Sequence, residues 1–415
     1  MRQDQGNIQF RKKLRYVNYL TVLFLFISGM KALSGECVTF FSDRLIHDLN
    51  FTTSQYSSMT ALFYLSYGVA TIVIGTLTGR SRKRKAWLFP MTLMAGVFAV
   101  LASTTNSYAG LAACRFGTGI FTGSSTAIML NIISKNLVRE DYGTRNGIIN
   151  GGSTVISSIF GPVILATLAT YYRWNAAFLL TGSVLVLLSV LVLTTVREVE
   201  CDIRKPVGTN KLKNYFSSLQ DLFRNRVFRI CFLIGLLETT ANISLGIFTP
   251  LYYSEIMGFD TIEKAGFMSL RGMCTIPIAL MIPVLADRFP VRKVMAGTFA
   301  FAAVAPAATF LLTGTGLSAY LLALFGTWAG ATVTLFTYMI PRIALPENLY
   351  MQGSGLILGT SVLLGGSLAP QIMSGLIESG WEIPLVLGLC ASLFVVCVVL
   401  SLFVNLDRGK HPEQA

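Results

Sequence analysis

The chain carries Gly79-Arg80-Ser81-Arg82-Lys83-Arg84-Lys85 and, 208 residues further on, Asp287-Arg288-Phe289-Pro290-Val291-Arg292-Lys293. These two basic segments match at Arg80 and Arg288, at Arg84 and Arg292, and at Lys85 and Lys293. Two more pairs recur at offsets of 212 and 209, namely Phe40-Phe41-Ser42-Asp43 with Tyr252-Tyr253-Ser254-Glu255 and Phe116-Gly117-Thr118 with Phe325-Gly326-Thr327. Three matches at nearly one offset indicate that the second half of the chain is a duplicate of the first.

Twelve apolar stretches, six in each half, surround these segments. The chain is 53% hydrophobic and 13% charged with a mean hydropathy of +0.62, whereas soluble domains carry about 25% charged residues. A helix needs about 20 mainly apolar residues to cross a hydrocarbon core of roughly 30 Å. The sequence therefore predicts an all-α membrane protein, with twelve transmembrane helices in two six-helix bundles related by pseudo-two-fold symmetry. The predicted crossings are 16–40, 55–78, 87–105, 109–133, 147–171, 175–196, 229–252, 265–286, 294–313, 317–340, 352–377 and 383–405.

The net charge of +13 would suit a nucleic-acid-binding protein, but the positions of the basic residues exclude that interpretation. With the N-terminus placed inside, 27 of the 33 Lys and Arg residues fall on cytoplasmic segments and three on outer loops. Cytoplasmic loops of membrane proteins carry this excess of positive charge. We therefore expect an integral protein of a bacterial inner membrane, a monomer in the lipid bilayer, with both termini in the cytoplasm and no nucleic-acid partner.

The order of polar and apolar segments predicts five regions. Residues 197–228 form a basic linker, in which apolar residues recur every three or four positions along one helical face. This face predicts either a helix lying on anionic lipid headgroups or a plain linker helix. The regions are a basic cytoplasmic N-terminus (1–15), an N-terminal six-helix bundle (16–196), the linker (197–228), a C-terminal six-helix bundle (229–405) and a cytoplasmic tail (406–415).

Enzymatic chemistry has no support in the sequence. The seven cysteines lack metal-ligand spacing, and no nucleophile–base constellation or phosphate-binding loop occurs. We therefore expect neither an enzyme nor a metal site nor a cofactor.

With its twelve crossings, central loop and basic segments after crossings 2 and 8, the chain resembles the major facilitator superfamily. The match extends over essentially the whole sequence, although Gly79 stands where the family usually has Asp. The resemblance implies transport by alternating access, with Asp287, Arg288, Arg292, Arg80 and Arg84 as a conformational gate. Arg115 followed by Gly119 is similar to the fourth-helix motif of the family. Gly161-Pro162 is similar to part of a motif associated with antiporters, but Leu165-Ala166 replaces its closing Gly pair.

Five charged residues interrupt the predicted crossings: Lys31, Glu36, Arg115, Glu238 and Arg271. A charge at the bilayer centre costs on the order of 2.5–3.5 kcal/mol, so it usually faces a partner or a water-filled cavity. At about 1.5 Å per residue, Glu238 lies roughly 15 Å deep, near the midplane, and Arg115 and Arg271 roughly 10 Å deep. If both carboxylates are ionised, one positive charge remains in excess, which an anionic substrate would balance.

Two interpretations of these charges remain open. In the first, Lys31, Arg115, Arg271 and Asn242 bind the substrate, because guanidinium groups hold carboxylates in a two-pronged geometry. Glu238 and Glu36 are then the proton-coupling residues, with Glu36 also a candidate for a salt-bridged gate. In the second, the two arginines pair with the two carboxylates and only hold the helices together.

The first interpretation predicts a secondary active transporter that moves a small organic anion of the carboxylate type in symport with protons. The alternative is a proton-coupled exporter of drugs or other amphipathic compounds, which Gly161-Pro162 and the aromatic richness of helices 7 and 12 favour. A third class, a receptor that keeps this fold without transport, has no appended soluble domain to support it.

Overall fold

The computed structural model describes residues 2–78, 84–136, 148–149, 151–197 and 219–404. In this part of the chain the regular secondary structure is helical throughout, and eleven helices are long and apolar enough to cross a membrane. The remaining predicted crossing, the fourth, corresponds to a 29-residue helix, Tyr108–Asn136, which contains Arg115 and a run of Gly, Ser and Thr residues. The predicted all-helical membrane fold is therefore confirmed.

In the first half of the chain the helices follow the predicted order. A short helix, α2, stands between the first two crossings, and a π-helical turn over Val155–Phe160 leads into α6. The helices are α1 (Arg2–Phe40), α2 (Ser42–Leu49), α3 (Thr53–Thr78), α4 (Arg84–Ala102), α5 (Tyr108–Asn136), α6 (Gly161–Tyr172) and α7 (Trp174–Thr195).

In the second half several crossings are interrupted. The tenth crossing contains a 3-10 turn over Trp328–Thr332 and a π turn over Leu335–Met339, the eleventh a π turn over Ser361–Gly365, and a further π turn over Tyr252–Ile256 follows the seventh. The helices are α8 (Arg226–Leu251), α9 (Thr261–Arg288), α10 (Val291–Leu311), α11 (Gly316–Phe325), α12 (Ile340–Ala344), α13 (Glu347–Thr360), α14 (Gly366–Glu378) and α15 (Ile383–Leu402).

The helices form two compact units. One unit contains residues 1–204 and 258–273, and the other contains residues 205–257 and 274–415. The N-terminal half of α9, called its outer half because the charge distribution predicts that it faces outward, thus belongs to the first unit, and the C-terminal, inner half belongs to the second. The bundle boundaries predicted from the sequence follow chain order, and they stay predictions.

Several corresponding pairs of crossings pack together within each unit. In the first unit α4 packs on α7 and α1 packs on both α7 and the π turn before α6. In the second unit the duplicated helices repeat these contacts, because α10 packs on α15 and α8 packs on both α15 and the π turn of the eleventh crossing. This shared arrangement agrees with the duplication that the repeated motifs predict.

Close packing of α3 on α5 depends on small residues in the fourth crossing. A side chain at Gly119 would overlap the carbonyl oxygen of Phe63 and the hydroxyl of Ser66, both on α3. Small residues at helix interfaces allow backbones to approach this closely in membranes, where packing drives association. Gly119 therefore fixes α5 against α3 and sets the direction of the side chains near it.

Candidate functional site

Arg115 is buried between α5 and the backbone of α1. Its guanidinium donates hydrogen bonds to the carbonyl oxygens of Ser34 (2.6 Å) and Gly35 (2.5 Å). It also lies 4.5 Å from the centre of the Phe63 ring on α3, in a cation–π contact. With 1% of its surface exposed, Arg115 joins three helices in this conformation. Its role in substrate binding stays a prediction.

The helical period explains why Arg115 points into protein. Residues four apart lie on the same face of a helix, so Arg115 shares a face with Gly119. Because Gly119 packs on Phe63 and Ser66 of α3, the side chain of Arg115 enters the same interface, one turn closer to the predicted outer side. There it reaches α1, whose carbonyl oxygens have a second lone pair available for the guanidinium.

Lys31 lies on α1 and is also buried, with 3% of its surface exposed. Its ammonium donates to the hydroxyl of Thr126 on α5 at 2.6 Å, and the same hydroxyl accepts a long bond from Tyr67 at 3.5 Å. Lys31 makes no ion pair with any residue that the structure describes. The ammonium of Lys31 therefore lies beside the neutral hydroxyl groups of Thr126 and Tyr67.

Glu36 and Arg271 belong to the same compact unit and interact electrostatically. Glu36 lies near the end of α1 and is half-buried, and Arg271 lies on α9 with 6% of its surface exposed. The sequence predicted both as site residues and also raised the possibility that the two arginines pair with the two carboxylates.

Glu238 lies in the interior of the second unit, on α8, with 1% of its surface exposed. Its two carboxylate oxygens accept hydrogen bonds from the hydroxyl of Thr239 (3.1 Å) and the amide of Asn242 (3.2 Å). Cys397 of α15 is close enough to interact with it electrostatically. In the described part of the chain Glu238 has no cationic partner, so its hydrogen-bond partners are neutral groups.

A polar cluster that the sequence did not predict joins α2 to the outer half of α9. The carboxylate of Asp43 forms an ion pair with the ammonium of Lys264 and accepts a hydrogen bond of 2.7 Å from the hydroxyl of Thr261. Lys264 has no exposed surface. From the sequence, Lys264 was assigned to an outer loop and Asp43 was noted only as part of a repeated motif. Their ion pair was not predicted, because the two residues lie 221 positions apart in the chain.

Asp43 stays charged over the whole physiological pH range. Burial raises the pKa of its carboxyl group, but the Lys264 ammonium and the hydrogen bonds from Lys264, Thr261 and the Arg44 backbone lower it further, so the pKa lies below its ordinary value. A carboxyl group with a lowered pKa contributes its stabilisation above the ordinary pKa and loses it only as pH falls through the lowered one. The contact between α2 and α9 therefore persists at neutral and mildly acidic pH.

The outer half of α9 also contacts the π turn that leads into α6. Ser269 donates a hydrogen bond of 2.7 Å to the carbonyl oxygen of Ile159, and a side chain at Gly272 would overlap the carbonyl oxygen of Ser158. Pro162 has no N–H group and cannot bond to the carbonyl four residues earlier, which is that of Ser158. Beside α9, the carbonyl oxygen of Ser158 therefore lacks the α-helical hydrogen bond from residue 162.

Gly272→Ala is expected to separate α9 from α6. Forcing a methyl group into a closely packed contact costs about 1–3 kcal/mol. The state in which α9 packs on the π turn before α6 should therefore become roughly tenfold less populated. The measurement is the yield of oxidative cross-linking between Asp43→Cys and Thr261→Cys in a chain without its native cysteines. Gly266→Ala is the matched control, because a side chain at Gly266, on the same helix, meets nothing within 4 Å. Equal cross-linking in the two variants would show that the Gly272 contact does not hold α9.

The predicted conformational gate is only partly described. Arg84, the first residue of α4, is buried at 3% exposure, whereas Arg80 lies outside the described residues. Asp287 and Arg288 at the end of α9 and Arg292 at the start of α10 are exposed. Most of the predicted linker helix, residues 198–218, also lies outside the described part. The gate role of these residues stays a prediction.

Most of the chain matches one known protein family. A family model described as Major Facilitator Superfamily matches residues 22–370. Among curated proteins, the chain is 23% identical over 385 residues to the multidrug resistance protein MdtL of Shigella dysenteriae serotype 1, which covers 89% of this chain and 92% of that protein. The MdtL protein of Escherichia coli strain K12 matches at the same identity and coverage.

Two solved structures share the fold. A bacterial homologue of the human lysosomal transporter Spinster, in an inward-facing and unoccupied conformation, superimposes with a TM-score of 0.70 at 17% identity and covers 94% of this chain and 95% of its own. The nucleoside transporter NupG superimposes with a TM-score of 0.72 at 14% identity, with 92% and 98% coverage. At these identities the likeness concerns the fold alone.

Proposed function

The chain belongs to the Major Facilitator Superfamily, and from this membership we propose that it exports amphipathic compounds in exchange for protons by alternating access. The chain is a membrane transporter, and the substrate class and the coupling ion are the parts that we propose. The single observation that carries the choice of substrate is the environment of Arg115, whose guanidinium is already bonded to two carbonyl oxygens of α1.

The contacts of the two arginines weaken the case for an anionic substrate. A carboxylate that approached Arg115 would have to displace the bonds to Ser34 and Gly35, and one that approached Arg271 would compete with the nearby charge of Glu36. With these two guanidinium groups engaged, Lys31 is the remaining one of the three positive charges that were expected to attract an anion. A largely neutral binding region suits an amphipathic substrate better, because such a substrate binds by burying its apolar surface.

Glu238 supports proton coupling. It is a buried carboxylate that accepts two hydrogen bonds from neutral donors and, among the described residues, has no cationic partner. A proton can therefore bind to it and leave it without breaking an ion pair. Intramembrane carboxylates of this kind serve as proton relays in pumps and transporters. The relatives from Shigella dysenteriae and Escherichia coli are named multidrug resistance proteins, which is consistent with export of this type.

In this proposal, the contacts of α9 hold together the predicted outer side of the first unit. The Asp43–Lys264 ion pair and the bonds of Thr261 and Ser269 hold the outer half of α9 against α2 and the π turn before α6. The protonation of Asp43 does not open this contact, since its pKa lies below the ordinary value. The proton that drives transport therefore binds at another residue, and we assign this role to Glu238.

A second candidate function, uptake of a small organic anion, is favoured by Lys31. This ammonium is buried, makes no ion pair in the described part of the chain and contacts α5 through one neutral hydroxyl. A substrate carboxylate could become its counter-ion, as a point charge and not as a two-pronged pair. In that case Lys31 would be the residue on which substrate affinity depends.

Transport by the purified chain in liposomes under an imposed proton gradient separates the two functions. We expect proton-driven movement of amphipathic fluorescent dyes by the wild-type chain and by Lys31→Met, and no gradient-dependent uptake of aliphatic or aromatic carboxylates. Carboxylate uptake by the wild-type chain that Lys31→Met abolishes would instead establish the second function. Liposomes without protein give the passive rate of each dye.

A further inference from the structure

We propose that the second unit binds the headgroup of an anionic phospholipid in a cavity where α8, α10 and α15 meet. The cavity has a volume of about 260 Å³ and is lined by Arg226, Val227, Arg292, Leu402 and Phe403. Arg226 is the first residue of α8 and Arg292 the second residue of α10, and α15 ends at Leu402. Three crossings thus begin or end here, on the side that the charge distribution predicts to be cytoplasmic.

The charges of the lining residues select an anion. Two guanidinium groups from different helices line the cavity, and no acidic residue does. Within the described part of the chain, neither arginine forms an ion pair. Guanidinium groups bind phosphate in a two-pronged geometry, so the phosphodiester of a lipid headgroup matches what this cavity offers.

The apolar part of the lining distinguishes a lipid from a soluble anion. Leu402 and Phe403 leave 53% and 55% of their surfaces exposed. These apolar side chains stand beside the arginines at the end of a transmembrane helix, the level at which headgroups join their acyl chains. Basic pockets between transmembrane helices on the cytoplasmic side are suited to acidic headgroups. The glycerol and upper acyl carbons of the lipid would cover the exposed apolar surface.

The test titrates a short-chain phosphatidylglycerol into the full chain in neutral detergent and follows its melting temperature, because a ligand that binds the folded state raises that temperature. The comparison variant is Arg226→Gln with Arg292→Gln. Each basic residue contributes roughly fivefold to binding of an acidic lipid, so we expect this double variant to bind about thirtyfold more weakly than the wild-type chain.

The matched control is Arg229→Gln with Lys293→Gln. It removes the same total charge from exposed positions on the same two helices, outside the cavity lining, and we expect it to bind as the wild-type chain does. Equal losses in both double variants would indicate diffuse attraction and overturn the proposal, as would a wild-type chain that phosphatidylglycerol does not stabilise. Inorganic phosphate and short-chain phosphatidylcholine are expected to have no effect. Stabilisation by phosphate alone would assign the cavity to a soluble anion instead.

Discussion

Replacing Glu238 with Gln should abolish proton-driven transport while leaving exchange of substrate across the membrane intact. The variant chain can bind and release substrate, but without a titratable group at this position the substrate only equilibrates and is not moved against its gradient. Gln fills the same volume and offers one acceptor oxygen and two donors. Since a hydroxyl can turn to accept as well as donate, Thr239 keeps a partner and the helix should fold normally.

The measurement compares net transport under a proton gradient with counterflow in its absence. Glu36→Gln is the appropriate control, because Glu36 is the other predicted coupling carboxylate and already lies near the positive charge of Arg271. We expect this control to keep proton-driven transport. Loss of coupling in Glu36→Gln together with its survival in Glu238→Gln would transfer the coupling role to Glu36.

Arg115→Met should lower the stability of the chain even when no substrate is present. The substitution keeps an unbranched side chain but removes two charge-assisted hydrogen bonds to α1 and the contact with the Phe63 ring. Hydrogen bonds to charged groups contribute about 1.5–3 kcal/mol each, so the free energy of unfolding should fall by about 3 kcal/mol. Thermal denaturation of the purified chain in detergent measures this loss as a lower melting temperature.

Lys31→Met provides the comparison for this experiment. Lys31 is buried at a similar level but makes a single hydrogen bond to a neutral hydroxyl, so its loss should change the melting temperature much less. If Arg115→Met melts as the wild-type chain does and yet fails to bind substrate, Arg115 is a substrate-binding residue and not a link between helices. That result would also restore the carboxylate as the favoured substrate.

The crossings could be predicted because the bilayer imposes one simple requirement, a long apolar helix. The fourth crossing, α5, was predicted in the same way as the others, although it contains Arg115. The interruptions of the helices were not predicted. A π turn such as Val155–Phe160 depends on which carbonyl oxygens find partners in neighbouring helices. Hydropathy contains no information about those partners.

For the site, the position of each charged residue along its helix could be estimated from the sequence, but the direction of its side chain could not. Arg115 was expected to face a cavity because of its charge within a crossing and its resemblance to the fourth-helix motif of the family. The spacing of Arg115 and Gly119 holds the further information that the arginine shares the face on which α5 packs against α3. Its actual partners, two backbone carbonyl oxygens, could not be inferred from residue types, since every residue of α1 has such an oxygen. The Asp43–Lys264 pair was missed because it depends on tertiary packing.

The division of α9 between the two compact units has a consequence for biogenesis. Residues 258–273 complete the first unit, yet they are synthesised after the whole linker and the seventh crossing. A ribosome that has released only residues 1–204 has therefore delivered a first unit without its partner for Asp43. In this arrangement the first unit reaches its final packing only after part of the second has entered the membrane. If the chain were divided at the linker, the first fragment would lack residues 258–273 until it met the second fragment, which contains them.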